Sequence, residues 1–121
     1  MRYLLMIAAE EDQACEHPGT PEYDELMGRY MAFTEEIMAS GSYLESLRLK
    51  PVAHATSVRV RNGKAAVTDG PFTETKEKIG GFYLIEAPDL DAAMAWAKKI
   101  PSADIGTIEI RPVWEMDEPE A

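Results

Sequence analysis

From Tyr3 to Ala8 the chain reads YLLMIA, with Tyr3, Leu5 and Ile7 on one alternating face and Leu4, Met6 and Ala8 on the other. A strand without a polar face is covered on both sides. An acidic, proline-containing connection runs from there to about Thr20, and then the period changes. Tyr23, Leu26, Met27, Tyr30, Phe33, Ile37 and Met38 recur at spacings of three and four, which places them in one buried stripe of a helix. Thr20 suits its N-cap and Pro21 its first position, while Glu22 and Asp24 fall in the positive first turn and Gly41 supplies the stop.

The stretch SYLESLRLKP, within residues 42–55, is compatible with either a short strand or an irregular segment. TSVRVRNGKAAVTD then predicts a hairpin: two runs joined by Asn62-Gly63, a pair that accepts the positive φ values of a type I′ turn. Val58 and Val60 face one way, Arg59 and Arg61 the other. GFYLIEA (81–87) is again apolar on both faces. Asp89 caps a second helix carrying Leu90, Ala93, Met94, Ala97 and Ile100, with Lys98 and Lys99 at its negative end and Pro101 closing it. TIEIRPVW (107–114) is a final strand that sets Ile108 and Ile110 against Glu109 and Arg111.

Strand, helix, hairpin, strand, helix, strand is the order of an α+β two-layer sandwich with both helices on one face of an antiparallel sheet. Two helices cover one face only, yet two strands are apolar on both. The second face therefore predicts a homodimer packed sheet to sheet.

Length, charge and cysteine content narrow the function classes. The 121 residues form one domain, 1–121, with an acidic tail from about residue 115. A formal charge of −10 opposes direct nucleic-acid binding and attraction to anionic membranes, both of which require a basic surface. The acids cluster at Glu10, Glu11, Asp12, Glu16, Glu22, Asp24 and Glu25, and again at Asp117, Glu118 and Glu120, as a solvated, solubilising surface. Cys15 is the one cysteine, which excludes an internal disulfide, and its acidic neighbours oppose thiolate formation. With no signal-peptide pattern and no apolar run near the roughly 18 residues of a span, the expectation is a cytoplasmic protein without a membrane partner.

Candidate chemistry centres on the loop VTDGPFTETKEKIGGFYLIE, residues 67–86. Asp69 has two readings, a turn-forming acid that accepts backbone N–H groups or a general base or ligand anchor held at the sheet edge. Phe72 reads as a core plug, and Thr73–Lys78 as a solvated turn of helix because Glu74 and Lys78 are four apart. Gly80-Gly81 precedes a strand and not a helix, so it is no phosphate cradle of the usual kind. Lys76, Arg59, Arg61 and Arg111 are candidate contacts for a small anion, the arginines as a polar island in the sheet-to-sheet space or as cross-strand ion pairs at its rim. His54 is a further ligand candidate, approaching from the undetermined segment. His17 and His54 lie far apart and lack cysteine partners, so neither a metal site nor a cofactor is expected.

VRVRNGKAAVTDGPFTETKEKIGGFYLIEAPDLDAAMAWAKKIP followed by IEIRPV resembles the DGPF branch of the YCII-related domain family, and MRYLLMI and ASGSYL fit it too. The resemblance implies a ferredoxin-like fold that forms a dimeric α+β barrel, and no established reaction. In the wider family, enzymatic function is attributed to a histidine on the first helix and an aspartate near the end of the second. Here no histidine falls between His17 and His54, and Ile100-Pro101 stands where Asp-Pro would follow the second helix. That pair does not carry over. Some members of the branch resemble accessory partners of alternative sigma factors. Two functions are thus expected: binding or processing of a small anionic molecule in a cleft at the sheet or dimer interface, with Asp69 as its candidate catalytic group, or an interaction module linked to sigma-factor-dependent transcription.

Overall fold

The structure, a computed structural model of the chain, describes residues 1–11, 17–71 and 75–117. Six strands and two α-helices follow in the order β1 (Arg2–Ala9), α1 (Pro21–Ser40), β2 (Tyr43–Arg48), β3 (Thr56–Arg61), β4 (Lys64–Asp69), β5 (Lys78–Glu86), α2 (Leu90–Lys99) and β6 (Thr107–Pro112). Short 3₁₀ turns at Val52–His54 and Pro101–Asp104 precede β3 and β6. The undetermined segment after α1 is therefore a strand, β2, running into a 3₁₀ turn.

Four strands form one antiparallel sheet in the order β2-β5-β1-β6. Its register sorts the side chains. Tyr3, Leu5, Tyr83 and Ile85 face the helices and are almost fully buried, against Phe33 and Ile37 of α1, Ala93 and Ala97 of α2, and Ile100. The ring of Phe33 meets Tyr83 edge to face at 5.1 Å. This is the two-layer α+β sandwich that the pattern of apolar positions predicts, with the ferredoxin-like arrangement that the family resemblance implies. The helix ends form as read from the sequence: Thr20 Oγ1 accepts from the Tyr23 N–H, the Asp89 carboxylate accepts from the Ala92 N–H, and Gly41 closes α1 at φ 85°. Lys99 of α2 pairs with Glu36 of α1. Arg2 donates two hydrogen bonds to Glu115, at 2.9 and 2.7 Å, so the start of the acidic C-terminal segment is tied back to β1.

Among the described residues no helix lies over the opposite face of the sheet. Leu4, Met6, Phe82 and Leu84 form its centre, only half-buried, with Leu47 exposed beside them and Glu45, Glu109 and Arg111 at the margins.

Three expectations change. The hairpin β3–β4 turns through Asn62 (φ 53°) and Gly63 (φ 75°) as predicted, but it is a separate two-stranded sheet. Arg59 and Arg61 therefore do not share a sheet face with Glu109 and Arg111, and no polar island is built from them within one chain. Lys78 opens β5, so the helical turn expected over Thr73–Lys78 is not formed at its C-terminal end. Thr73, Glu74 and the predicted plug Phe72 lie outside the described residues. Gly80 and Gly81 lie inside β5, not ahead of it. A Cβ on Gly81 would meet the Leu47 carbonyl oxygen at 2.6 Å, so glycine here lets β2 come close to β5.

Candidate functional site

The helical stripe that buries α1 ends, toward the N-terminus, in side chains too large or too polar to close against the sheet. Leu26, Met27 and Tyr30 of α1 stand over Ile7 of β1 and Gly81 of β5 and leave a cavity of about 250 Å³ that opens beside β2. Ser46, Leu47, Arg48 and Leu49 bound it on the β2 side, and Glu11 and Lys78 also line it.

Its polar groups come from α1, β2, β5, the second 3₁₀ turn and the segment after β1. Tyr30 of α1 and Ser102 of the second 3₁₀ turn are hydroxyl to hydroxyl at 2.6 Å. Ser102 is only 4% exposed, and its backbone carbonyl accepts from the N–H groups of Ile105 and Gly106, which fixes the turn that presents it. Arg29, next to Tyr30, reaches Asp104 of the same turn at 3.0 Å. Tyr83, also in the lining, is joined to Thr34 at 2.7 Å. Arg48 donates to the Tyr23 hydroxyl at 2.9 Å and lies 5.3 Å from the centre of that ring, so its guanidinium is steered back over α1.

Burial raises the pKa of the Tyr30 phenol, with the Ser102 hydrogen bond pulling the other way; the same holds for Tyr83 with Thr34. Both are neutral hydroxyls at physiological pH. They donate and accept hydrogen bonds, and neither is a resting base. The arrangement therefore offers an apolar floor, a half-buried hydroxyl pair, the cationic groups of Arg48 and Lys78, and the carboxylate of Glu11, which accepts from the Val52 N–H. Among the described residues no group of three or more His, Cys, Asp or Glu side chains is placed to hold a metal ion.

The six residues singled out from the sequence lie elsewhere. Asp69 ends β4 opposite Thr56 and is exposed. The turn after it is held by other groups: the Gly70 N–H donates to the Ala55 carbonyl at 2.8 Å and Ser57 Oγ donates to the Gly70 carbonyl at 2.6 Å. Gly70 itself adopts φ 106°, which explains the glycine in that motif. Among the described residues the Asp69 carboxylate makes no hydrogen bond, so its turn-forming reading finds no support there. Arg59 and Arg61 lie on the hairpin, and Arg61 donates to the Val60 carbonyl. Lys76 is 86% exposed and pairs with Glu10 at 3.1 Å. Arg111 pairs with its strand neighbour Glu109 at 3.3 Å on the helix-free face. His54 lines a wide hollow on that face with Met6, Pro51, Pro71 and Glu109. Only His54 and the Arg111–Glu109 pair approach a common region, and none of the six lines the cavity under α1.

What the sequence reading missed is Tyr30 and Ser102. The helical periodicity makes Tyr30 one more apolar position of the stripe, although a tyrosine facing a core needs a partner for its hydroxyl. Ser102 carries no sequence signal, because its partner is 72 residues away. The first helix has no histidine and the second is not followed by Asp-Pro, yet these two regions are joined here by a tyrosine and a serine.

Comparisons with known proteins fit this architecture. An uncharacterised protein of Rhizobium meliloti (strain 1021) is 33% identical over 113 residues, covering 91% of each chain. The solved structure of 5-chloro-2-hydroxyhydroquinone dehydrochlorinase from Burkholderia phenoliruptrix AC1100, in complex with 2,5-dihydroxybenzoquinone, superposes with a TM-score of 0.50 at 15% identity, over 95% of this chain and 94% of that one. That likeness establishes a shared fold. The YCII-related domain matches residues 1–117, nearly the whole length, and the chain belongs to that family.

Proposed function

We propose that the protein binds a small anionic molecule with a compact apolar body in the cavity beneath α1, and processes it there. The observation that carries this reading is the Tyr30–Ser102 hydroxyl pair, half-buried, mutually bonded and facing a cavity otherwise lined mainly by apolar side chains. A neutral phenol in a site of low polarity stabilises negative charge on a bound oxygen by donating to it. Arg48 supplies the planar cation that pairs with a carboxylate or phenolate. The ligand is assigned here and not to Asp69, Arg59, Arg61, Lys76, Arg111 and His54, which the fold distributes over the hairpin, the loop beyond it and the helix-free face. We also infer a homodimer through that face, because Leu4, Met6, Phe82 and Leu84 are only half-buried and no helix covers them among the described residues.

The Burkholderia dehydrochlorinase was solved with a hydroxyquinone, and 2,5-dihydroxybenzoquinone, a planar acid, is a suitable first probe of the cavity. Calorimetric titration of the wild type with this probe is expected to show one site per chain, weakened about tenfold or more in Arg48→Ala through loss of a charge-assisted contact. Tyr30→Phe, which keeps the ring, is expected to weaken binding less and to abolish any turnover. Wild-type affinity in both variants defeats the cavity reading. The alternative, a module acting on a sigma factor, draws on the charge of −10 and predicts salt-sensitive co-purification that Arg48→Ala and Tyr30→Phe leave intact.

A further inference from the structure

The hairpin β3–β4 pairs along its full length, from Thr56 opposite Asp69 to Arg61 opposite Lys64, but among the described residues it forms a sheet of its own, separate from the main one. Its register places Val58 opposite Val67 and Val60 opposite Ala65 on one side. These valines are 65%, 67% and 56% exposed. A two-stranded ribbon with a bare apolar side is marginal in water, since its ladder alone does not offset the entropy of ordering it. The other side carries Arg59, Arg61 and Lys64, three of the chain's 12 basic residues, whereas Asp69 is the ribbon's one acid out of 22. The ribbon is thus a basic, half-apolar arm on a strongly acidic protein.

We propose that this arm is an interaction surface for a second copy of the chain, laid across the helix-free face of the partner so that its valine side covers apolar surface there. Three features select this occupant. The helix-free face offers an apolar centre, Leu4, Met6, Phe82 and Leu84, of the kind the valine side lacks. The body of a second copy is acidic overall and attracts the arm's cationic residues, and the face is bordered by Glu45 and by the Glu109–Arg111 pair. The root of the arm also stands at that face already, since Pro51, His54, Ala55 and Pro71 wall the hollow above Met6 and Ala8. Exchange of arms across a two-fold axis satisfies both copies at once. A nucleic acid matches the cations but not the valines, and the net charge of −10 repels it.

The test is amide hydrogen exchange on the full chain over a range of concentrations, alongside sedimentation, for the wild type, Val58→Asp and Val67→Asp. Protection of the β3 and β4 amides is expected to rise as the protein associates. Both variants are expected to lose that rise and to weaken association by about tenfold or more, as a charge placed in an apolar contact does. These side chains are exposed within one chain, so exchange in β1 and β5 at low concentration should stay at wild-type values and show that the sandwich folds. Arm protection that is independent of concentration, or variants that associate like the wild type, overturns the proposal. So does arm protection that appears only when a mixed-sequence DNA or RNA oligonucleotide is added.

Discussion

Two antiparallel pairs in this molecule each carry a face of apolar side chains at every second position and have opposite surroundings. In β1–β5, Tyr3, Leu5, Tyr83 and Ile85 are buried beneath two helices. In β3–β4, Val58, Val60 and Val67 repeat the same period-two pattern and lie in solvent. Alternation therefore specifies which residues share a face and which partners they meet across the ladder. It does not specify what that face packs against, because burial depends on elements far away in sequence. The first pair is stabilised mainly by apolar burial within its own chain; the second has no such cover among the described residues.

Substitutions make the contrast measurable. The largest effect is expected for Leu5→Ala, which empties a fully buried site against both helices and should lower unfolding free energy by about 2–5 kcal/mol in urea titrations. Gly81→Ala comes next. The new methyl must displace the Leu47 carbonyl that it would meet at 2.6 Å, at a cost of about 1–3 kcal/mol, and the shift of β2 should be visible as exchange broadening at Leu47 and Arg48.

A smaller effect concerns the phenols on the helix side. Burial raises the pKa values of Tyr30 and Tyr83 relative to the unfolded chain. The stability this contributes is fully present below the unfolded value of about 10, and it is lost as pH rises through the folded values. Stability should therefore fall above about pH 10, and Tyr30→Phe should flatten that fall in denaturation midpoints measured against pH. The smallest effect is expected for Val58→Ala. In dilute protein, where each chain stands alone, it should change stability by no more than about 0.5 kcal/mol, as exposed substitutions do. A loss as large as that of Leu5→Ala would show that the arm is part of the monomer's core, and the contrast would disappear.

The candidate site repeats this lesson. Arg48, Tyr30 and Ser102 come from a strand, a helix and a 3₁₀ turn, and the motif that stands out in the sequence supplies none of them. Asp-Gly-Pro-Phe was visible because turn residues have local causes, and Gly70 indeed needs its positive φ. The Tyr30–Ser102 bond was invisible because nothing near either residue calls for the other. Residues with strong local signals shaped the turns here, whereas the cavity is lined by residues with weak ones.

The sequence by itself determined the elements, their caps, the hairpin turn and the two-layer class, since these follow from periodicities and short-range hydrogen bonds that a few neighbouring residues decide. It also determined that one sheet face would lie uncovered, by providing two helices for two apolar faces. Only the tertiary structure decided that β2 is a strand joined to β5, that β3–β4 stands apart from the main sheet, and that a tyrosine and a serine 72 residues apart share a hydrogen bond over a cavity. Those outcomes depend on which surfaces meet, and contact between distant segments is settled by the packing of the whole chain.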